Sequence, residues 1–276
     1  MFADAMEQAM DYCRPIKIIS RVYKSDEVLA ETFTMFFVNG EGIAITSKHI
    51  AEEIMRGGKL NRTYEAFRKE RASIPEECNH RIETNRLERR YEYVKGETKT
   101  QLRYSFSRCF DRIEKLGIEA HPFYDLAVIR FGGFGTTMFR GHCVFAKEMR
   151  KPRVGMSVCR LGYPVTEFDD YAFVKEKDDI VWTATGTHTV SQYPAEGMIV
   201  HVTKNDERIT TFEVSGIVGK GYCGAPVLDK NGILVGMVMD TVTRIVDGQP
   251  KTCTLCVNAE IIKSFLQEKG IRFFEE

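Results

Sequence analysis

The stretch GIVGKGYCGAPVLDKNGILVGMV, residues 216–238, carries the strongest pattern in this chain. Gly221 and Gly224 flank Cys223, and Pro226 precedes two apolar runs that are separated by the turn residues Asp-Lys-Asn-Gly. Glycine permits backbone conformations that direct amide groups at a developing oxyanion. The stretch therefore predicts a tight loop, held rigid by a strand, that presents the Cys223 thiol for acyl transfer.

Short strand-like runs make up most of the chain around this loop. They begin at residue 16, return at residue 125, and are mostly separated by Gly, Pro, Asp or Asn. Many short strands of this kind are typical of an all-β barrel or sandwich. Helices are predicted at both ends: apolar residues recur at helical spacing in 2–13, and the segment 258–270 has an Asn258 cap, an apolar stripe and a closing glycine.

Residues 51–119 differ from the rest of the chain in composition. They contain sixteen Lys or Arg and thirteen Asp or Glu, with few β-branched runs. Mixed charges on helix-like segments indicate a solvated surface, so we predict a helical insertion here. A nucleic-acid-binding surface is the alternative, which the interspersed acidic residues disfavour.

Charge and hydropathy indicate the cellular location of the protein and the classes of partner it is expected to lack. Lys plus Arg and Asp plus Glu both total 39, and this balance disfavours a nucleic-acid partner, which usually requires excess positive charge. The first residues, MFADAMEQAMDYCRP, lack the basic segment and apolar run of a secretory signal, and no apolar stretch is long enough for a membrane span. The sequence predicts a cytoplasmic protein without a nucleic-acid or membrane partner, and it leaves the oligomeric state open.

The cysteines and histidines outside the loop offer weaker candidates. All eight cysteines are expected to be mostly reduced, because a chain of this size without an export signal does not need disulfides. Cys253 and Cys256 form a C-x-x-C, which suggests zinc or thiol redox chemistry, but in the strand-like run TCTLCV their side chains point to opposite faces. No second Cys/His pair has matching spacing, so we predict no metal and no cofactor. Five histidines are interpreted as structural or surface residues: His80, His121, His142, His188 and His201.

Two motifs upstream of the loop supply partners for a nucleophile. GEGIAITSKHIAEE, residues 40–53, places His49 just after a strand-like run. DLAVIRF, residues 125–131, opens another such run with Asp125. Cysteine catalysis needs a base beside the thiol and a group that orients the base, and a histidine with a carboxylate can fill these roles.

Together the three motifs resemble those of the chymotrypsin-like (trypsin-like) peptidases. G-Y-C-G-A-P-V resembles the G-x-S-G-G-P-V nucleophile loop of that family, with Cys in place of Ser and Ala225 in place of the second glycine. In this form it is similar to the G-x-C-G-x-P loop of viral chymotrypsin-like cysteine proteases. The order His, Asp, nucleophile matches as well, and LGYP at 161–164 is a weaker similarity. The resemblance covers nearly the whole chain except the N-terminal helix and 51–119.

The resemblance implies two six-stranded antiparallel β-barrels with the site in the cleft between them. The first barrel would span 14–135 and carry the insertion at 51–119, and the second would span 136–258. The remaining segments are the N-terminal helix at 1–13 and the C-terminal helix at 259–276.

The resemblance also implies the role of each residue. Cys223 would be the nucleophile of an endopeptidase acting on a protein or polypeptide, with His49 as general base and Asp125 orienting the imidazole. The backbone amides of Gly221 and Cys223 would form the oxyanion hole. A catalytically silent peptide-binding module on the same fold is the alternative.

By the same resemblance, five residues would line the specificity pocket: Ile217, Val218, Met239, Asp240 and Thr241. Since only Asp240 is charged, we expect a pocket that does not require a charged P1 residue. The alternative is that Asp240 points into the pocket and selects Lys or Arg.

The chain also departs from the family at two places. Tyr222 replaces the aspartate that pairs with a freshly cut N-terminus in secreted members of the family, so activation by N-terminal insertion is not implied. The run VGMVMDTV lacks the histidine of enzymes that cut after Gln.

Overall fold

Strands form most of the computed structural model, which describes residues 1–147, 151–206, 208–246 and 248–276. The chain is thus mostly β, as the sequence predicts. The described residues contain four α-helices: α1 (Ala3–Tyr12), α2 (Lys48–Ala72), α3 (His80–Arg90) and α4 (Ala259–Glu268). Helices α1 and α4 lie where the sequence predicts terminal helices, and the Asn258 side chain caps α4 by accepting the Glu260 N–H at 3.3 Å.

Six antiparallel strands from the first half of the chain form one sheet. They are β1 (Cys13–Val22), β2 (Leu29–Phe37), β3 (Ile43–Thr46), β4 (Lys99–Phe106), β5 (Lys115–Ala120) and β6 (Ala127–Gly132). Their order is β4-β1-β2-β3-β6-β5, so β4 and β5 are the two edges of an open sheet. Successive residues of β1, β2, β3 and β6 are buried, so both faces of these strands are covered and their apolar side chains join the main core.

Helix α2 covers the β4 edge of this sheet. The Asn61 amide donates to the Leu102 carbonyl at 2.7 Å, and the Asn61 side-chain oxygen accepts the Leu102 N–H at 3.0 Å. Gly57 permits this close approach, because a Cβ there would lie 2.7 Å from Leu102 Cδ2. An uncovered edge strand would expose its backbone groups to other chains, so α2 protects this edge.

The helical part of residues 51–119 is shorter than the sequence predicts. It ends with α3 at Arg90, and the later residues supply β4 and β5 to the sheet. The strand pattern of β4 is hidden because five of its eight side chains are polar, and three of these pair with side chains on neighbouring elements. These pairs are Lys99 with Glu53, Gln101 with Arg21 at 3.0 Å, and Arg103 with Asp179 at 2.8 Å.

The second half of the chain supplies a closed barrel and two short two-stranded sheets. Its strands are β7 (Val144–Phe145), β8 (Ser157–Gly162), β9 (Tyr171–Val174), β10 (Asp179–Trp182), β11 (Tyr193–Asn205), β12 (Arg208–Val214), β13 (Pro226–Leu228), β14 (Leu234–Val246), β15 (Gln249–Asn258) and β16 (Phe274–Glu275). The barrel order is β11-β12-β15-β14-β13-β8. Strands β9 and β10 form a hairpin outside it, and β16 pairs with β7 beyond the end of α4. The loop between β12 and β13 carries Cys223 and lies against β2 of the first sheet.

Candidate active site

The register of the first sheet brings His49 and Asp125 together. Thr46 at the end of β3 pairs with Ala127 at the start of β6, so the residues just beyond these ends are neighbours. Asp125 Oδ1 accepts the backbone N–H of His49 at 2.9 Å, and Asp125 Oδ2 lies 2.8 Å from His49 Nδ1. Two contacts to one carboxylate fix the ring orientation, and they leave Nε2 free to face the thiol.

The nucleophile loop is tied to the first sheet through Thr34 of β2. The Thr34 N–H donates to the Cys223 carbonyl at 3.0 Å, and its hydroxyl donates to the Gly221 carbonyl at 2.6 Å. The Thr34 carbonyl in turn accepts the Thr46 hydroxyl at 2.8 Å, three residues before His49. The side chain of Thr34 is fully buried. These bonds connect the backbone that holds Cys223 to the strand that leads to His49.

The two glycines around Cys223 are required by close backbone packing. A Cβ on Gly221 would lie 1.8 Å from the Tyr163 carbonyl oxygen. Gly224 has a φ of +84°, and a Cβ there would lie 2.1 Å from the Thr34 carbonyl oxygen. The LGYP segment contacts the loop directly, since the Tyr163 N–H donates to the Gly221 carbonyl at 3.3 Å.

We expect Thr34 to act as a positioning residue for Cys223. Replacing Thr34 with Val keeps the side-chain shape and the backbone bond but removes the hydroxyl that holds the Gly221 carbonyl. Under the peptidase role that the sequence predicts for Cys223, loss of one such hydrogen bond should lower kcat roughly 3- to 10-fold with little change in KM. The Thr34→Ser variant retains the hydroxyl and should recover most of the loss. Equal losses in the Val and Ser variants would mean that packing, rather than the hydrogen bond, matters at this position.

The imidazole of His49 is held in its charged form. Burial alone would lower its pKa, but the hydrogen bond with Asp125 and the interaction with the Cys223 side chain outweigh burial and raise the pKa to about 10. The ring is therefore cationic at neutral pH and can stabilise a thiolate on Cys223. Cys223 is 8% exposed as a whole residue, and it lines a cavity that is described below.

We expect the His49 ring to titrate near pH 10 in an NMR titration of the folded protein. Its ordinary pKa is about 6.5, so the protonated ring stabilises the fold fully below that pH, and this stabilisation is lost as the pH rises through about 10. The Cys223→Ala variant should titrate lower, because one of the two interactions that raise the pKa is gone. A wild-type ring that titrates close to its ordinary pKa would contradict this assignment.

One of the two predicted oxyanion donors already has a partner. The Cys223 N–H donates to the Lys220 carbonyl at 2.9 Å, which closes a 3₁₀ turn over Lys220–Tyr222. The Gly221 carbonyl is anchored by Thr34 and Tyr163, so the Gly221–Tyr222 peptide is fixed. The Lys220–Gly221 peptide is the unit that would have to turn for the Cys223 amide to face an oxyanion.

A cavity of about 610 Å³ lies over these groups. Its lining contains His49, Asp125 and Cys223, together with Glu31, Phe33, Ile50, Glu52, Glu53, Arg56, Lys99, Lys220 and Asp240. Of the five predicted specificity residues, Asp240 is the one in this lining. Val218 and Met239 are buried in hydrophobic cores, whereas Ile217 and Thr241 are exposed.

Sequence reasoning did not identify the contribution of α2 to this cavity. Glu52, Glu53 and Arg56 lie three, four and seven residues after His49, which is the spacing of one helix face. A helix that begins at Lys48 would put these three residues on the same face as His49, so the spacing is a signal that the sequence contains. Thr34 gave no sequence signal, because its role depends on contacts with a loop almost two hundred residues away.

The weaker candidates stay apart from this cavity. Cys253 and Cys256 lie in β15, where Cys256 is buried and Cys253 partly so, and both are free thiols. Among the described residues, no group of three or more His, Cys, Asp or Glu side chains could hold a metal ion. Within the same residues, the helices are too short or too polar to cross a membrane.

Comparison with known proteins does not assign the chain to a family. No family model matches it, and no match was found among the curated proteins.

Proposed function

We propose that this protein is a cysteine endopeptidase of the chymotrypsin-like two-barrel class, acting on polypeptides through Cys223, His49 and Asp125. The observation that carries the proposal is the placement of the His49 imidazole between the Asp125 carboxylate and the Cys223 thiol within one cavity. His49 and Asp125 lie just beyond strand ends of the six-stranded sheet, and Cys223 lies in a loop of the closed barrel. Acyl transfer requires a nucleophile next to a base and an orienting group on the far side of that base.

The reaction follows from these groups. The Cys223 thiolate attacks the carbonyl carbon of the scissile peptide bond and forms a C–S bond and an oxyanion. The C–N bond then breaks while the His49 imidazolium gives its proton to the leaving amine. Neutral His49 next accepts a proton from water, whose oxygen attacks the thioester. The C–S bond breaks, the acid product leaves, and the thiolate and imidazolium are restored.

A specific observation favours the second candidate, a catalytically silent peptide-binding module. The Cys223 N–H is occupied by the Lys220 carbonyl, so one predicted oxyanion donor is not directed at the cavity. A peptidase with this loop needs its substrate to turn the Lys220–Gly221 peptide, whereas a binding module does not.

Thiol labelling separates the two candidates. Cys78 is an exposed free thiol in the same chain and serves as the internal control. With limiting iodoacetamide at neutral pH, an activated Cys223 should be alkylated faster than Cys78, because the thiolate is the reactive form. The alkylation rates of Cys223 and Cys78 are measured by mass spectrometry of the two peptides that contain them. Slower labelling of Cys223 than of Cys78, together with no cleavage of a proteome-derived peptide library, would favour the binding module.

A further inference from the structure

One carboxylate in the Cys223 cavity has no cationic partner within the part of the chain that the structure describes. The other four carboxylates of the lining are paired: Glu31 with Lys220 at 3.4 Å, Glu52 with Arg56 at 3.8 Å, Glu53 with Lys99, and Asp125 with His49 at 2.8 Å. Asp240 accepts only the backbone N–H of the next residue, Thr241, at 2.7 Å. Its charge is therefore available to a ligand that enters the cavity.

A bulge in β14 places Asp240 at the cavity. Val238 pairs with Cys256 and Asp240 pairs with Leu255, so Met239 is an extra residue on β14. A bulge of this kind bends the strand and changes the direction of the next side chain. Residues 233–239 are buried, whereas Asp240 and Thr241 are exposed.

The same strand is bonded directly to the nucleophile loop. The Gly224 N–H donates to the Val238 carbonyl at 2.9 Å, and the Val238 N–H donates to the Ala225 carbonyl at 2.9 Å. Two residues of a regular strand advance roughly 7 Å, and the bulge shortens this advance, so the Asp240 backbone lies within about that distance of the residue that binds Gly224. A long side chain on the substrate residue whose carbonyl is attached to Cys223 can span this distance.

We infer that Asp240 selects a lysine or arginine side chain at P1 of a polypeptide substrate, an inference that rests on the proposed peptidase function. An ammonium or guanidinium group would pair with the carboxylate that lacks a cation, while an acidic side chain would be repelled. The sequence alone favours a pocket without a charge requirement. The position of Asp240 in the cavity, past the bulge, favours the alternative.

Matched peptides test the inference. The substrates differ only at P1, which is Lys, Arg, citrulline, Gln or Glu, and citrulline is the neutral analogue of Arg. The wild type should cleave the Arg peptide with a kcat/KM ~10- to 100-fold above the citrulline peptide, and Asp240→Asn should remove this difference. Glu52→Gln is the control, since Glu52 lies in the same cavity but is already paired with Arg56. A wild type without the preference, or a preference that persists in Asp240→Asn, would overturn the inference.

A second measurement does not depend on turnover. Cationic and anionic methanethiosulfonate reagents modify thiols, and their relative rates at Cys223 report the charge beside it. Asp240→Asn should lower the cationic-to-anionic ratio several-fold, and clearly more than Glu52→Gln, which removes one carboxylate elsewhere in the cavity and leaves Arg56 unpaired. If no peptide is cleaved but the ratio falls, the cation site stands and the peptidase proposal fails. If peptides are cleaved without a P1 preference and the ratio is unchanged, the inference fails and the peptidase proposal stands.

Discussion

Replacing Cys223 with Ala is expected to lower kcat for peptide cleavage by at least ~10⁴-fold, because loss of the nucleophile from a catalytic triad costs up to roughly 10⁶-fold. His49→Ala should cause a loss of similar scale, since both the charge partner of the thiolate and the proton donor to the leaving amine disappear. If the three groups act as a unit, the double variant Cys223→Ala/His49→Ala should be little worse than either single variant.

These losses should occur in folded protein. Removal of one buried sulfur atom at Cys223 costs on the order of 1 kcal/mol, which corresponds to a shift of about 2–4 °C in Tm for a chain of this size. Thermal unfolding of each variant, measured beside its kinetics, separates loss of chemistry from loss of fold. Near-normal turnover by either folded variant would refute the proposed roles of Cys223 and His49.

The site groups could be predicted from sequence because each lies in a short local motif. Glycines around Cys223, the strand before His49 and the strand after Asp125 are visible within a few residues. The structure shows why the glycines are needed: Gly221 and Gly224 approach other backbone segments too closely for any Cβ. Local sequence therefore encodes the loop, and the pairing of β3 with β6 brings the histidine and the aspartate together.

The open first sheet shows where sequence reasoning fails. Strand β4 contains Lys99, Gln101 and Arg103, and a strand of this composition looks like a solvated helix when its partners are unknown. These side chains are satisfied by residues on α2, β1 and β10, which lie far away in sequence. Long-range polar pairing of this kind leaves no periodic signal in the strand itself.

Two details of the site depend on backbone geometry that composition does not encode. One is the bulge at Met239, which changes the direction of Asp240 relative to simple strand alternation. The other is the hydrogen bond from the Cys223 amide to the Lys220 carbonyl. Both arise from how strands and turns pair, so a sequence can supply the residues without showing which way their groups point.

The Cys223→Ser variant is expected to lose at least ~100-fold in kcat/KM, which is the scale of losing effective general-base assistance. In this variant Asp125 still raises the pKa of His49, so the ring stays cationic to a higher pH than a free imidazole. A cationic ring stabilises a thiolate that is already formed, but it cannot accept the proton of a serine hydroxyl. A serine must lose that proton during the attack and so depends on a neutral, closely bonded base.

The pH dependence of the two enzymes makes this prediction sharper. Without the thiol, the Asp125 bond still raises the pKa of His49, so the serine variant should gain activity as the pH rises through the pKa of its ring, which is expected to lie below the wild-type value. The wild type should need no such rise, because its cationic ring stabilises the thiolate directly. Rates for both on one peptide between about pH 6 and about pH 10 give the comparison, with Cys223→Ala as the blank. Comparable rates and parallel profiles would mean that no cationic His49 stabilises a thiolate in the wild type, and that its thiol loses its proton to a neutral base during the attack, as a serine would.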